Sequence, residues 1–391
     1  MKKRVLITGG AGFVGSHLAD ELLAHGYAVR ALDVLLPQAH PALAKGSRPD
    51  YLDPAVELLV GDVCDPVAVR AALAGADAVF HLAAAVGVGQ SMYQIANYTR
   101  TNNLGTAVLL EALLEARQSG SPIERLIVAS SMSIYGEGRY DGLPAAAVRG
   151  LEHLKGGEWE MHDAAGTPLA PLPTPEDHPL QHGLQSVYAL SKYDQERLCI
   201  LTGRAYGIPT AALRFFNIYG SRQALGNPYT GVLAIFATRL LAGKPPLINE
   251  DGLQRRDFVH ARDVALACRL ALELPAARLD EDPPVFNIGS GESRTILDVA
   301  ASLATALGSS TAPEVSGAYR VGDIRHCFAD ISRAARVLGY RPHVAFADGL
   351  AELTDWLRRQ PPAEDRGPAA QAELLARGLS IPAARQVAPV A

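Results

Sequence analysis

In the stretch SVYALSK, residues 186–192, a tyrosine stands four residues ahead of a lysine. On a helix, positions four apart share a face, so the Tyr188 phenol and the Lys192 ammonium can enter one cleft. There the lysine's charge is expected to lower the phenol's pKa from about 10 and make it a usable base. Taken alone, the pair is also an ordinary pair of helix residues. A second group is TGGAGFVG at 8–15, with glycines at Gly9, Gly12 and Gly15. Glycine lets the backbone turn tightly and approach a pyrophosphate, and a helix opening at Phe13 and Val14 presents free N–H groups there. Asp33 closes the next apolar run, about 20 residues on, where a carboxylate suits a ribose 2′-hydroxyl. That acid favours NAD, because it repels the 2′-phosphate of NADP; Arg30 lies nearby, but no arginine directly follows Asp33. Gly61-Asp62-Val63 could bring a second acid toward an adenine, against the plainer reading of a turn or cap.

These groups need a particular scaffold. Short apolar or β-branched runs at 4–8, 27–33, 56–62, 78–83, 125–130 and 210–215 read as strands. Helical stretches fall at 13–25, 66–74, 95–117 and 186–206. This alternation predicts an α/β protein with a Rossmann-type doubly wound parallel sheet, helices on both faces. Residues 137–182 are rich in Gly, Ala and Pro without a sustained period, and read as an insertion or lid-like loop. Residues 360–391 are Ala/Pro-rich and are expected to be a peripheral or disordered tail.

Composition narrows the class further. The 391 residues are 48% hydrophobic and 20% charged, with a net charge of −5 and no Lys/Arg-rich run, which argues against a nucleic-acid binder. The four cysteines, Cys64, Cys199, Cys268 and Cys327, form no metal-type pair, so no metal site is expected and a reducing compartment is. No apolar run approaches the ~18 residues of a membrane span. The basic start MKKR imitates a signal peptide, but its apolar run ends at Thr8. A cytoplasmic protein is expected.

The chain resembles the extended short-chain dehydrogenase/reductases, specifically the NAD-dependent nucleotide-sugar epimerase/dehydratase family. The resemblance runs from residue 5 to about 357 through TGGAGFVG, HLAA at 81–84, NNLGT at 102–106, SSMSIYG at 130–136 and YALSK at 188–192. It continues through LRFFNIYG at 213–220, RRDFVHARDVA at 255–265, FNIGSG at 286–291 and RVGDIRH at 320–326. The resemblance implies an NAD-binding Rossmann domain over 1–212, carrying the insertion, and a mostly substrate-binding domain over 213–359 with segments returning to the first. It implies Ser131, Tyr188 and Lys192 as catalytic residues. Gly9, Gly12, Phe13, Val14, Gly15, Asp33, Asp62, Val63, Leu82, Ala83, Ala84 and Asn102, with Tyr188 and Lys192, become the expected cofactor contacts. Ser131, Ser133, Asn217, Arg256, Arg320 and Asp323 become the expected contacts to a nucleoside diphosphate sugar, the arginines because their planar fork pairs with phosphate oxygens. A homodimer through helices 95–117 and 186–206 is implied likewise.

Within this family, dehydratases carry an Asp-Glu pair directly after the catalytic Thr, whereas this chain has Met132-Ser133. That disfavours dehydration and leaves 4-epimerisation as the leading reaction, on a dTDP-6-deoxyhexose such as dTDP-L-rhamnose or on a UDP-hexose. A 4-ketoreductase, a dehydratase and a non-catalytic NAD-sensing protein stand as alternatives. Cys327, at the family's sugar-pocket gate, either leaves more room than a tyrosine or is simply a small buried residue.

Overall fold

The computed structural model describes residues 2–383 apart from 42, 44–46, 143–158, 164, 181–183, 230 and 282–283. Seven strands form one sheet: β1 (Arg4–Thr8), β2 (Ala28–Asp33), β3 (Glu57–Val60), β4 (Ala78–His81), β5 (Arg125–Ser131), β6 (Thr210–Phe215) and β7 (Val285–Ile288). Their order is β3-β2-β1-β4-β5-β6-β7, and every pairing is parallel. The strand order reverses between β1 and β4, which opens a crevice at the carboxyl ends of those strands.

Burial on both faces explains the unbroken apolar run of β1. Val5 and Ile7 join one core with Leu18 and Leu22 of α1 (Phe13–Ala24), while Leu6 joins a second with Val69 of α2 (Pro66–Leu73) and Leu109 of α3 (Gly105–Gln118). Successive strand residues thus feed opposite layers. Next along the chain comes α4 (Val187–Tyr206). A third core, including Phe236, Leu303 and Leu353, lies among α5 (Val232–Leu241), α7 (Ile296–Leu307) and α8 (Phe346–Leu357). Between these, α6 (Ala261–Glu273) packs on α1 and β7 extends the main sheet, so the second half of the chain returns to the first.

Three segments differ from the sequence expectation. The helix over 95–117 is not uniform: a short turn at Ile95–Tyr98 passes into a π-helix at Thr99–Leu104 before α3. The insertion is anchored where it is described. Arg139–Tyr140 pairs antiparallel with Pro171–Leu172, Tyr140 packs with Met161 and Leu169, and Thr174 bridges to Ala329; residues 143–158 lie outside the described part. The tail is folded through 383: α9 (Gly367–Ala376) buries Ala370 and Leu374, and Ser380–Ile381 pairs antiparallel with Tyr319–Arg320. Ala/Pro composition suggested a loose end because it contains few large apolar residues, yet one leucine at a docking site is enough to seat a short helix. Residues 384–391 lie outside the described part.

Candidate active site

The glycine-rich turn after β1 is dictated by close backbone approach. Gly9 sits at φ 71° with its amide donating to Leu32 O at 2.8 Å, and a Cβ there would stand 2.9 Å from Ala83 N. A Cβ on Gly15 would fall 2.3 Å from Gly9 O and 2.7 Å from Gly10 Cα. At the start of α1, Gly12 offers no side-chain cap and the first turn has no acid. The free N–H groups at Phe13, Val14 and Gly15 therefore suit an anion, and the cradle fits a dinucleotide's pyrophosphate.

The neighbouring cofactor expectations divide. Asp33 is nearly buried; its Oδ2 accepts from Ala11 N at 3.0 Å and its Oδ1 from Leu35 N at 2.9 Å, so it shapes the loop while keeping lone pairs free for a ribose. Leu82 and Ala83 line the turn, with Ala83 N donating to Thr8 Oγ1 at 3.2 Å; Ala84 follows, half-buried. Asp62 accepts from Cys64 N at 2.8 Å and from Arg100 at 2.9 Å, the geometry of a turn residue with a surface ion pair. Val63 is buried against Gly105, in the core beside α3. Asn102 is fully buried: its Oδ1 accepts from Ala85 N at 2.7 Å, and its Nδ2 donates to Ala85 O at 3.1 Å and Ser191 Oγ at 2.8 Å. With those bonds Asn102 braces the loop after β4.

Ser131, Tyr188 and Lys192 do come together. Ser131 ends β5, with its hydroxyl near enough to the Tyr188 phenol to favour that phenol's ionised form. Helix α4 starts at a Ser186 cap whose Oγ accepts from Ala189 N at 3.0 Å, and Tyr188 N donates to Ser91 Oγ at 3.0 Å, which fixes Tyr188 in the first turn. Four residues past Lys192, Glu196 takes Arg214 of β6 bidentately at 3.0 and 2.7 Å and Ser130 Oγ at 2.6 Å. Arg214 also donates to Tyr135 Oη at 2.8 Å. This buried, paired network clamps α4 against β5 and β6, and so sets the Tyr188 to Ser131 approach.

Without a bound cofactor, burial pushes the Tyr188 phenol above its ordinary value, opposed by the neighbouring Ser131 hydroxyl. The Lys192 ammonium donates to Gln195 Oε1 at 2.6 Å, and burial brings the lysine itself down to about 8. Gln195 in turn bonds Thr106 at 3.0 Å and His81 at 3.1 Å, and His81 bonds Thr8 Oγ1 at 2.8 Å. Neither Gln195 nor His81 stands out in sequence as part of the site, although both lie inside or beside matching motifs.

A stability prediction follows from the lysine. Its folded pKa lies below its unfolded one, so charging it costs folding free energy in full below pH 8, and the cost fades as pH rises toward 10.5. Lys192→Met should therefore raise thermal stability at pH 7, by roughly 2–3 kcal/mol before the loss of the Gln195 bond, with most of the advantage gone by pH 10. Paired melting curves at pH 7 and 10 check this; an equal gain at both pH values would sink it.

The expected substrate residues come from four separate segments of the chain. Ser133 N donates to Ser131 Oγ at 3.2 Å, and Met132 is buried with Tyr135 and Phe216. Asn217 Oδ1 is buried with no partner among the described residues, an acceptor that a ligand donor would satisfy. Arg256 donates to the carbonyls of Arg255 at 2.9 Å and Arg325 at 2.8 Å, and to Ile324 O, so its guanidinium ties down the strand His326–Cys327 in this structure. Arg320 pairs with Asp323 at 3.0 Å beside a cavity of about 290 Å³ lined by Glu137, Gln185, Tyr319 and Asp323 among others. Cys327 is buried, its Sγ 3.8 Å from Thr174 Oγ1, and so follows the plainer of its two readings: the insertion covers it.

The sequence reading missed a charged cluster behind this wall. Buried Glu137 accepts from Arg325 N, from His326 N at 3.1 Å and from Tyr140 Oη at 2.8 Å. Arg325, 1% exposed, pairs with Glu250 at 2.8 Å, Asp251 at 2.6 Å and Glu160 at 2.5 Å. Glu137 and Arg325 fall in or next to the quoted motifs, but only three-dimensional proximity joins them. Among the described residues, no group of three His, Cys, Asp or Glu side chains is arranged to hold a metal.

Comparison with known proteins agrees with this geometry. The family model described as "NAD dependent epimerase/dehydratase family" matches residues 5–289. A dTDP-L-rhamnose 4-epimerase from Burkholderia thailandensis is 34% identical over 364 residues, 92% of this chain and 96% of that one. A dTDP-glucose 4,6-dehydratase from an Actinoplanes species is 31% identical over 360 residues, covering 91% and 98%. The crystal structure of Thermus thermophilus UDP-glucose 4-epimerase in complex with NAD superposes with a TM-score of 0.68 at 32% identity, covering 92% of this chain and all of that one. The chain belongs to the NAD-dependent epimerase/dehydratase family.

Proposed function

We propose that the protein is an NAD-dependent nucleotide-sugar 4-epimerase, an isomerase that oxidises C4 of a nucleoside diphosphate hexose transiently and reduces it again on the other face. The observation that carries this reading is the Ser131–Tyr188 hydroxyl pair at the carboxyl end of β5, next to the glycine cradle, with Met132-Ser133 where a dehydratase would need carboxylates. Relatives named as 4-epimerases of dTDP-L-rhamnose and UDP-glucose support it. A dTDP-6-deoxyhexose is placed slightly ahead of a UDP-hexose as substrate.

In this reading Gly9, Gly12, Phe13, Val14, Gly15 and Asp33 hold NAD, which when bound supplies a reversible acceptor for the C4 hydride. Tyr188 removes and returns the O4 proton, and Ser131 shares that proton and orients O4. The raised phenol of the protein alone means that its ionisation must be helped by the positive charge of the oxidised cofactor. Asn217, Arg256, Arg320 and Asp323 contact the nucleoside diphosphate sugar, the arginines at its phosphates, and Ser133 contacts the sugar. Met132 is buried and Ser133 is neutral, so neither can move protons at C5 and C6 as dehydration requires.

A homodimer completes the proposal. Ile95, Thr99, Leu104, Ala107 and Leu198 line an open apolar groove, and Ile95, Leu104, Leu190 and Leu201 are exposed along the two helices that would meet. A cytoplasmic location accords with cysteines that are all free and with the absence, among the described residues, of a helix long and apolar enough to cross a membrane.

The test is incubation of the purified protein, without added cofactor, with a panel of dTDP- and UDP-sugars under NMR. C4 inversion is expected. Conversion only on addition of NADH or NADPH would point to a ketoreductase, loss of water to a dehydratase, and either result would overturn the epimerase reading.

A further inference from the structure

The folded tail touches both walls of the proposed substrate crevice. On one side, Leu374 of α9 packs on Gly89, with both its methyls 3.4 Å from where a Cβ would stand, and Arg377 stacks 4.4 Å over the Tyr93 ring. The short helix beneath, Val88–Ser91, ends in the serine whose Oγ accepts from Tyr188 N. On the other side, Ser380–Ile381 pairs with Tyr319–Arg320, Val321 N donates to Leu379 O at 3.0 Å, and Gln371 Nε2 ties back to Ser380 Oγ at 2.7 Å. Tyr319 also lies edge-on to Trp159, with ring centroids 5.8 Å apart, and Arg320 pairs with Asp323 at 3.0 Å. At its root the tail is fixed by the ion pair of Asp365 with Arg239 of α5 at 2.8 Å, both side chains largely buried.

We infer that residues 365–381 form a strap that sets nucleotide-sugar affinity by holding the Arg320–Asp323 segment against the crevice and bracing the Val88–Ser91 turn behind Tyr188. This rests on the functional reading above, which makes Arg320 and Asp323 contacts to the nucleoside diphosphate, the guanidinium at its phosphates. The chemistry is positional. Arg320 carries the guanidinium, but a two-residue strand has too few hydrogen bonds to hold itself, and the tail supplies its ladder. Without the strap the arginine samples many positions, and the ordering is left for the ligand to impose at binding. The ligand class that feels this is the diphosphate of a nucleoside diphosphate or its sugar. Tyr188 also keeps the Ser186 cap and the Glu196–Arg214 clamp of α4, and Ser131 and the glycine cradle are held by other elements, so binding is affected more than chemistry.

The experiment uses the full chain with Leu374→Asp, which puts a charge into the Gly89 contact, and Leu374→Met as a volume-matched control. Three quantities are read: dissociation constants for UDP and dTDP, kcat and KM for the turned-over sugar nucleotide, and hydrogen exchange of residues 319–324 and 379–381. For Leu374→Asp, nucleotide Kd and KM should rise at least tenfold, kcat should stay within threefold, co-purified NAD should be unchanged, and the two segments should exchange faster. Leu374→Met should resemble the parent. Should Leu374→Asp not fold, Arg377→Ala with Gln371→Ala, both at partly exposed positions, loosens the same contacts and should raise Kd at least threefold. Faster exchange with Kd unchanged would show a tail that is structural only and overturn the proposal, as would unchanged exchange in the folded variants. A parent protein that binds neither UDP nor dTDP would remove the functional reading and the strap together. Parent binding with unaltered variants removes the strap alone.

Discussion

Tyr188→Phe is expected to lower kcat for C4 inversion by about 10²–10⁴-fold, while KM and bound NAD change by no more than a few-fold. The phenol is the acid–base group whose ionisation the Ser131 hydroxyl favours, and its ring is held independently of its oxygen, edge-on to Tyr98 with centroids 6.4 Å apart. Phenylalanine keeps that packing, and the backbone bond to Ser91 is untouched. The proton path therefore goes while the pocket stays. Burial also leaves the parent phenol hard to ionise, so the activity should rise with pH toward an apparent pKa that depends on cofactor charge. A Tyr188→Phe enzyme retaining more than about a tenth of parental kcat would mean that another group moves the O4 proton, and that this assignment is wrong.

The second large effect concerns stability. Arg325→Met should destabilise the protein by about 3–5 kcal/mol at neutral pH, because removing one member of a buried charge cluster leaves the others unpaired. Glu250 is the member that suffers most: it is 2% exposed and pairs with Arg325 at 2.8 Å. Burial already pushes its carboxyl up to about 7, and loss of the guanidinium raises it further. A carboxyl whose folded pKa lies above its unfolded value is stabilised by protonation, so the variant's deficit should be largest near pH 8 and shrink toward pH 5.5. Denaturant midpoints at the two pH values check the sign. A deficit that grew on acidification would count against Glu250 as the stranded partner.

Much of the sheet and half of the site could be read from the chain because local rules decided them. The apolar run of β1 is long because both of its faces are covered, and Gly9 and Gly15 are glycines because a Cβ at either meets backbone within 3 Å. Tyr188 and Lys192 share a helix face by spacing alone. What escaped was set by contacts between distant segments. Lys192 turns to Gln195, three residues on, a choice that depends on His81 and Thr106 behind it. Asn102 lies in a matching motif, but that its amide ties Ala85 to Ser191 is set by the fold. The tail looked peripheral because its composition is loose, and its order comes from partners at Gly89, Tyr93 and Tyr319 that no local pattern in 360–383 announces. The insertion was similar: Glu160 finds its role only opposite Arg325 and His326.

The π-helical turn at Thr99–Leu104 acts as a vernier on the helix that carries it. Its wider hydrogen-bonded loops take up one residue beyond what an α-helix would use over the same rise. Deleting a residue there would leave the backbone helical but rewind the upstream end by about 100° around the axis relative to α3. Tyr98, fully buried and edge-on to Tyr188, would then point elsewhere, and Ile95 would leave the apolar groove it shares with Leu104. A single extra residue thus sets the angular phase between the ring that backs Tyr188 and the surface through which two copies would meet. A change in chain length at this turn would detune both together.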